Sequence, residues 1–129
     1  MTVWEMIGTK LLAASAVTAI VGANVFHGDK PAGLGLPTVN YFEVSNGLVG
    51  QGVVEIAHYQ ISCRAETPGG AQDLAHAVAV VFHNMKETVS TFDVNAGSVL
   101  DKFLMKEPDT DTYHVPVDIR LAFDASENT

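Results

Sequence analysis

The sequence predicts an α+β domain in which two main helices pack on a mostly antiparallel sheet. Apolar residues recur at helical spacing within residues 2–21 and 67–85, and they alternate with polar residues within 53–66 and 113–123. Segments rich in Gly or Pro separate these patterns, so the order is helix, two strands, helix, and then two or three strands. We expect the whole chain, residues 1–129, to form one domain.

The N-terminal segment predicts one amphipathic helix from about Thr2 to Val21. Thr2 and Glu5 have the spacing of a capping box, in which each side chain bonds the other residue's backbone N–H. The apolar run at residues 11–23 also resembles the core of a signal peptide, but it is shorter than the about 20 apolar residues that span a bilayer. We favour a helix that is part of the fold, and a cleaved leader is the alternative.

The next segments predict a hairpin with a long loop. Val25 and Phe26 are compatible with a short edge strand, and residues 38–45, rich in β-branched and aromatic side chains, predict the first long strand. Residues 46–52 are Gly-rich and uncharged, which favours a long loop over a tight turn. In the second strand, residues 53–66, the apolar face comprises Ala57, Tyr59, Ile61, Cys63 and Ala65.

Thr67 and Pro68 are typical of a helix start, with a capping hydroxyl followed by proline in the first turn. The residues expected to face the sheet are Ala71, Leu74, Ala75, Val78, Val81, Phe82 and Met85. Beyond this helix we expect a short strand around Phe92, a strand at residues 98–106 and an acidic turn at 107–112.

The last predicted strand, residues 113–123, has the most regular alternation in the chain, with Tyr113 and every second residue after it pointing inward. Its Pro116 lacks a backbone N–H donor, which favours an edge strand or a bulge at that position.

The segment with Cys63 and three histidines does not have the pattern of a catalytic site. Cys63 lies on the apolar strand face, whereas His58 and Arg64 point to the other side, so no base is within reach of the thiol. His76 and His83 are seven residues apart, roughly 10 Å along a helix, which is too far to bind one metal ion. The sequence therefore predicts a protein that is not an enzyme and has no metal site and no cofactor.

The charge balance limits the partners. The net charge is −8, and the seven Lys and Arg residues are scattered singly. Proteins that wrap nucleic acid or dock on anionic lipid need clustered cations, so we expect neither specific DNA binding nor a membrane partner.

The most informative exposed features are apolar. The predicted second helix carries an outer stripe that includes His76, Val80 and His83, which indicates either a contact with another protein or cover by the N-terminal helix. Together with the uncharged loop, the acidic turn and the proline strand, this gives a set of candidate interface residues. They are Leu48, Val49, His76, Val80, His83, Asp109, Asp111 and Pro116.

Three segments in this order resemble the small tail-completion proteins of long-tailed bacteriophages, the tail terminator or head-to-tail joining family. They are PTVNYFEVS at residues 37–45, HYQISCRAETPGGAQDLAHAVAVVF at 58–82 and YHVPVDIRLAF at 113–123. The strand, small polar turn and A-x-x-LA-x-AV helix of the second segment carry most of the resemblance.

The resemblance implies a structural virion protein, assembled in the host cytoplasm, that forms a ring, generally a hexamer. The implied ring sits on the head-proximal end of the tail tube, ends tube polymerisation and joins the tail to the head connector. Its implied partners are other copies of itself, the tail tube protein and the connector or neck protein. DNA is expected to pass through the lumen without specific binding, which suits an acidic chain.

Two alternatives remain at this point. Within the same virion region, the chain could be another ring or tube subunit of the neck. In a different class, it could be a secreted or periplasmic small-ligand binding module, if residues 1–23 are a leader.

Overall fold

A computed structural model describes residues 1–29, 31, 33, 35–108 and 110–128 of the chain. Its helices and strands confirm the predicted α+β class. In chain order they are α1 Val3–Ala13, α2 Ser15–Val21, β1 Val25–His27, β2 Thr38–Val49, β3 Val54–Ala65, α3 Pro68–Phe82, β4 Met85–Val89, β5 Phe92–Lys102, β6 Met105–Glu107 and β7 Thr112–Asp124, followed by a short 3₁₀ turn at Ala125–Glu127.

The described strands form a seven-stranded sheet in the order β1-β2-β3-β7-β5-β4, with β6 added to β7. The β1–β2 pair is parallel, and the other pairs are antiparallel, so the prediction of a mostly antiparallel sheet is confirmed. The two central strands, β3 and β7, pair without a register shift from Val54↔Asp124 to Ala65↔Tyr113.

The core lies between the helices and one face of this sheet. From α3, Leu74 and Val78 are fully buried, and they face a sheet surface that contributes Ile61 from β3 and Ile119 from β7. This is the alternation predicted for both strands, and one hydrophobic cluster extends from Val3 to Phe123. Burying each such aliphatic side chain stabilises the fold by about 1.5–3 kcal/mol.

The N-terminal segment contributes to this core as two helices rather than the single helix predicted. The capping box of Thr2 and Glu5 is present, but α1 ends at Ala13. Ala14 has an extended backbone, and α2 begins after it at Ser15, at an angle of 81° to α1. The bend brings Val17 and Val21 of α2 into the same core as α1. Nothing in the helical spacing marks this bend, because both helices keep the same apolar period.

In the part of the chain that the structure describes, no single helix has the length and apolar character needed to cross a membrane. Only the bent pair α1 and α2, taken together, reaches that length and composition.

Aromatic stacking holds α1 against the β1–β2 end of the sheet. The His27 ring stacks between Trp4 and Tyr41, with ring centroids 5.5 and 5.3 Å away. The Tyr41 hydroxyl also donates a 2.9 Å hydrogen bond to the backbone carbonyl of Trp4. These contacts cover the first residues of β2 and leave its second half free.

The prediction of a long loop at residues 46–52 is wrong. Strand β2 continues to Val49, which pairs with Val54, so the connection is the short turn at residues 50–53. The glycine at position 47 is tolerated because β3 supplies a continuous partner, with Gly47 opposite Ile56. Leu48 and Val49 therefore lie on a strand.

The C-terminal half contains a hairpin where the sequence predicted only a short strand around Phe92. Strands β4 and β5 are joined by a turn at residues 90–91, and Ser90 has a positive φ of 56°. The strand predicted at 98–106 is split, since β5 ends at Lys102 and β6 begins at Met105.

The prediction of an edge strand or a bulge at Pro116 is also wrong. Strand β7 is central, Pro116 is buried, and its pairing with Ser62 of β3 is regular. On the other side, Lys102 of β5 pairs with Val117 and Met105 of β6 pairs with His114. Pro116 lies opposite the interruption between β5 and β6, where a missing N–H donor removes little pairing.

Gly97 is required by close packing between β5 and the end of α3. A Cβ at this position would lie 2.9 Å from the Met85 Cβ and 3.0 Å from the Phe82 carbonyl oxygen. We expect Gly97→Ala to lower the free energy of unfolding by about 1–3 kcal/mol, because the backbone must shift to relieve overpacking. Urea denaturation followed by circular dichroism measures this change.

The matched control is Gly47→Ala in β2, where no heavy atom lies within 4 Å of the added Cβ. Its free energy of unfolding should stay within about 0.5 kcal/mol of the parent value. Equal effects at the two positions would contradict the packing explanation.

Candidate functional site

The segment with Cys63 is a structural part of the core. Cys63 is fully buried, and burial raises the pKa of its thiol to about 12, against a smaller opposing effect of the nearby Arg64 charge. The thiol therefore stays protonated at neutral pH and is a poor nucleophile. His58 and Arg64 lie on the opposite side of β3, as the alternation predicted.

A polar cluster on that opposite side ties four strands together. Arg64 donates from Nε to Glu107 of β6 at 2.8 Å and from Nη1 to Asn40 of β2 at 2.6 Å. His114 of β7 lies beside them, with Nδ1 3.7 Å from the Glu107 carboxylate. These residues come from four separate segments, so no local sequence pattern could have identified the cluster.

Burial lowers the pKa of His114 to about 4, and the Arg64 charge acts in the same direction while Glu107 opposes it. The imidazole is therefore neutral at neutral pH. Among the residues whose positions are described, no group of three His, Cys, Asp or Glu side chains is arranged to hold a metal ion.

The outer face of α3 forms one wall of an open groove. This groove, here called the α3 groove, has a volume of about 470 Å³, and its other wall is β5. It is lined by His76, Ala79, Val80, His83, Val99 and Lys102. The Val99 backbone N–H donates to His83 Nδ1 at 3.4 Å, which links the two walls.

Three of the predicted interface residues, His76, Val80 and His83, thus share one concave surface. Val80 is 65% exposed, so α1 does not cover this stripe, and that alternative is wrong. A smaller cavity of about 200 Å³ continues the α3 groove past Lys102 to Phe103 and Leu104.

Sequence reasoning missed the exposed apolar residues around the junction of β5 and β6. Leu100, Phe103, Leu104 and Met105 are all between 38% and 51% exposed. The available signal was the adjacent pair Phe103 and Leu104, which breaks strict alternation and cannot be buried on one face of a strand.

The second exposed apolar surface is on the β2–β3 hairpin. Strand β1 pairs only with residues 39–41 of β2, so the outer edge of residues 42–49, here called the β2 edge, has no strand partner in the described part of the chain. Leu48, Val49 and Val53, here called the hairpin tip, are 61%, 46% and 62% exposed. Open apolar edges of this kind are ready to pair with another chain.

The remaining candidate residues do not join either surface. Asp111 is exposed in the turn before β7 and pairs with Lys106 at 2.9 Å. Pro116 is buried inside the sheet and cannot contact a partner there. Asp109 lies outside the described residues.

Comparison with solved structures shows that this fold occurs elsewhere. A chain from the virion of a native gene transfer agent (GTA) particle is 16% identical and matches with a TM-score of 0.78, over 95% of each chain. Another solved chain, 12% identical, matches with a TM-score of 0.58 over 94% of each chain. Among curated proteins, the comparison found no match.

A component of a virion particle therefore has the same fold as this chain. Residues 5–124 match the family model described as tail completion protein gp17, and the chain belongs to that family. It is a tail-associated structural protein of the virion, as the sequence resemblance indicated.

The buried neutral His114 predicts a specific pH dependence of stability. Its pKa falls from 6.5 to about 4 on folding, so the unfolded chain binds the proton more tightly. Stability should decrease as the pH falls from 6.5 towards about 4, by as much as about 3 kcal/mol from this group. The measurement is urea unfolding across this pH range for the parent protein and His114→Gln.

Carboxylates that do not contact His114 affect both proteins equally, so the difference between the two pH profiles isolates His114 with its neighbour Glu107. His76→Gln, on the exposed face of α3, is the matched control and should keep the parent profile. Parallel profiles for the parent protein and His114→Gln would show that His114 makes no such contribution.

Proposed function

We propose that this chain forms a closed homomeric ring, a hexamer, that caps the head-proximal end of a phage tail tube. The ring ends polymerisation of the tube and presents its other face to the head connector. The observation that carries this proposal is the presence of two different exposed apolar surfaces on one small domain, the α3 groove and the β2 edge with its hairpin tip.

Two different surfaces are what a head-to-tail assembly requires. In a ring, one surface of each copy contacts a different surface of the next copy, and rotation closes the chain of contacts. The β2 edge and the α3 groove are separated by the central strands β3 and β7, so one copy can engage two neighbours at once. Membership of the tail completion family supports the position of this ring at the end of a tail.

The charge distribution supports passage of DNA through the lumen without specific binding. The chain has fifteen Asp and Glu residues against seven Lys and Arg residues. Three of these cations, Lys10, Arg64 and Lys106, already pair with carboxylates in the fold. Like charges repel the phosphate backbone, so DNA can slide past such a surface without adhering to it.

The function is assembly through surface contacts rather than catalysis. The Cys63 thiol is protonated and inaccessible, and burial keeps the His114 imidazole neutral. The partners are other copies of the chain, the tail tube protein and the head connector, and the matched surfaces exclude water instead of positioning a substrate.

The test is the mass of the purified full-length protein in solution, measured by light scattering over a concentration series and checked by negative-stain electron microscopy. We expect a discrete particle of six chains, about 82 kDa from the chain mass of 13.7 kDa. Open-ended polymers would instead indicate a tube subunit. A monomer at every concentration would contradict a self-closing ring.

A further inference from the structure

We propose that the hairpin tip of one copy docks into the α3 groove of the next copy, and that this contact builds the ring. The inference rests on the proposed function and adds to it the two surfaces that meet. The partner in the α3 groove is thus a second copy of this chain.

The shapes of the two surfaces are complementary. The α3 groove is concave and open, with Val80 and Val99 as its apolar lining between the walls of α3 and β5. The hairpin tip is a turn at the end of two long strands, and it presents Leu48, Val49 and Val53 to solvent. Docking removes both apolar surfaces from water at once, which is the driving force for association.

The charges of the two surfaces are also complementary. The α3 groove contains one formally charged side chain, the cation of Lys102, and no carboxylate of the described residues lines it. Residues 42–55 of the hairpin contain no Lys or Arg and one exposed carboxylate, Glu43, because Glu55 is buried and accepts hydrogen bonds from Asn46 and Asn128. A groove with one cation that receives a hairpin with one exposed carboxylate and no cation favours this pairing over wrong partners.

The same charges oppose the symmetric alternative. Two hairpins that met edge to edge would bring together two β2 edges that each carry Glu43 and no Lys or Arg, so no opposite charges would pair across the contact. The bulge in β2 between Glu43 and Ser45 further interrupts the flat edge that symmetric strand pairing needs. The contact is therefore heterologous, tip into groove.

Cross-linking between variants that each carry one accessible cysteine tests this contact. The native Cys63 is buried, so Leu48→Cys in the hairpin tip and Val80→Cys in the α3 groove each add one accessible thiol. Equal amounts of the two variants are mixed as full-length proteins and treated with a short bifunctional maleimide. Docking holds the two thiols at high effective concentration, so we expect at least about tenfold more linked dimer than in control mixtures.

The control mixture pairs Leu48→Cys with Leu12→Cys, an apolar position on α1 that is 50% exposed and outside the α3 groove. Each variant alone is a second control. Efficient linking of Leu48→Cys to itself would show a symmetric contact and overturn the proposal, and so would equal linking to positions 12 and 80.

A second experiment separates this inference from the proposed function. Val80→Asp and Val53→Asp each place a charge on one of the two docking surfaces, at positions 65% and 62% exposed, so the fold tolerates them. We expect both variants to lose the ring and become monomers in light scattering, and Leu12→Asp to keep it. Circular dichroism verifies that all three variants are folded.

If the parent protein forms rings that survive both substitutions, the docking contact is wrong and the ring function stands. If the parent protein is monomeric at every concentration and no cross-link forms, both the contact and the proposed ring are overturned.

Discussion

The unbroken antiparallel ladder between β3 and β7 is the constraint on which the rest of the structure depends. It runs from Val54↔Asp124 to Ala65↔Tyr113, and it aligns the apolar faces of the two most regular strands. Those faces create a surface that α3 must cover, and α3 buries Leu74 and Val78 on it. Because a one-residue slip would turn the apolar face of the slipped strand to solvent, burial itself holds the register.

The exposed surfaces lie where the helices no longer cover the sheet. Helices α1 and α3 cover one face of the sheet, and α1 reaches β2 only as far as Tyr41 through the Trp4–His27–Tyr41 stack. Beyond that point β2 follows β3 without cover, while at the other side α3 and β5 diverge into a groove. Uncovered apolar places of this kind are where contacts with other proteins are expected.

Much of the fold could be predicted from the sequence because the signals were local. The capping box at Thr2, the helix start at Thr67 and Pro68, and the alternation in β3 and β7 each depend on neighbouring residues. The burial of Cys63 could be predicted because Cys63 lies on the same face of β3 as the alternating apolar residues. The resemblance to tail-completion proteins rested on these same segments, and the family match over residues 5–124 agrees with it.

By itself, then, the sequence determined the class of fold and the core faces of β3, α3 and β7, since these depend on periodicity along the chain, and its resemblance to tail-completion proteins indicated the family. Tertiary structure alone decided the bend at Ala14, the extension of β2 to Val49 and the central place of the strand with Pro116. Each of these depends on which distant strand or helix supplies a partner. The α3 groove belongs to the same group: its helical wall was visible as a stripe, but its second wall comes from β5, more than a dozen residues further along the chain.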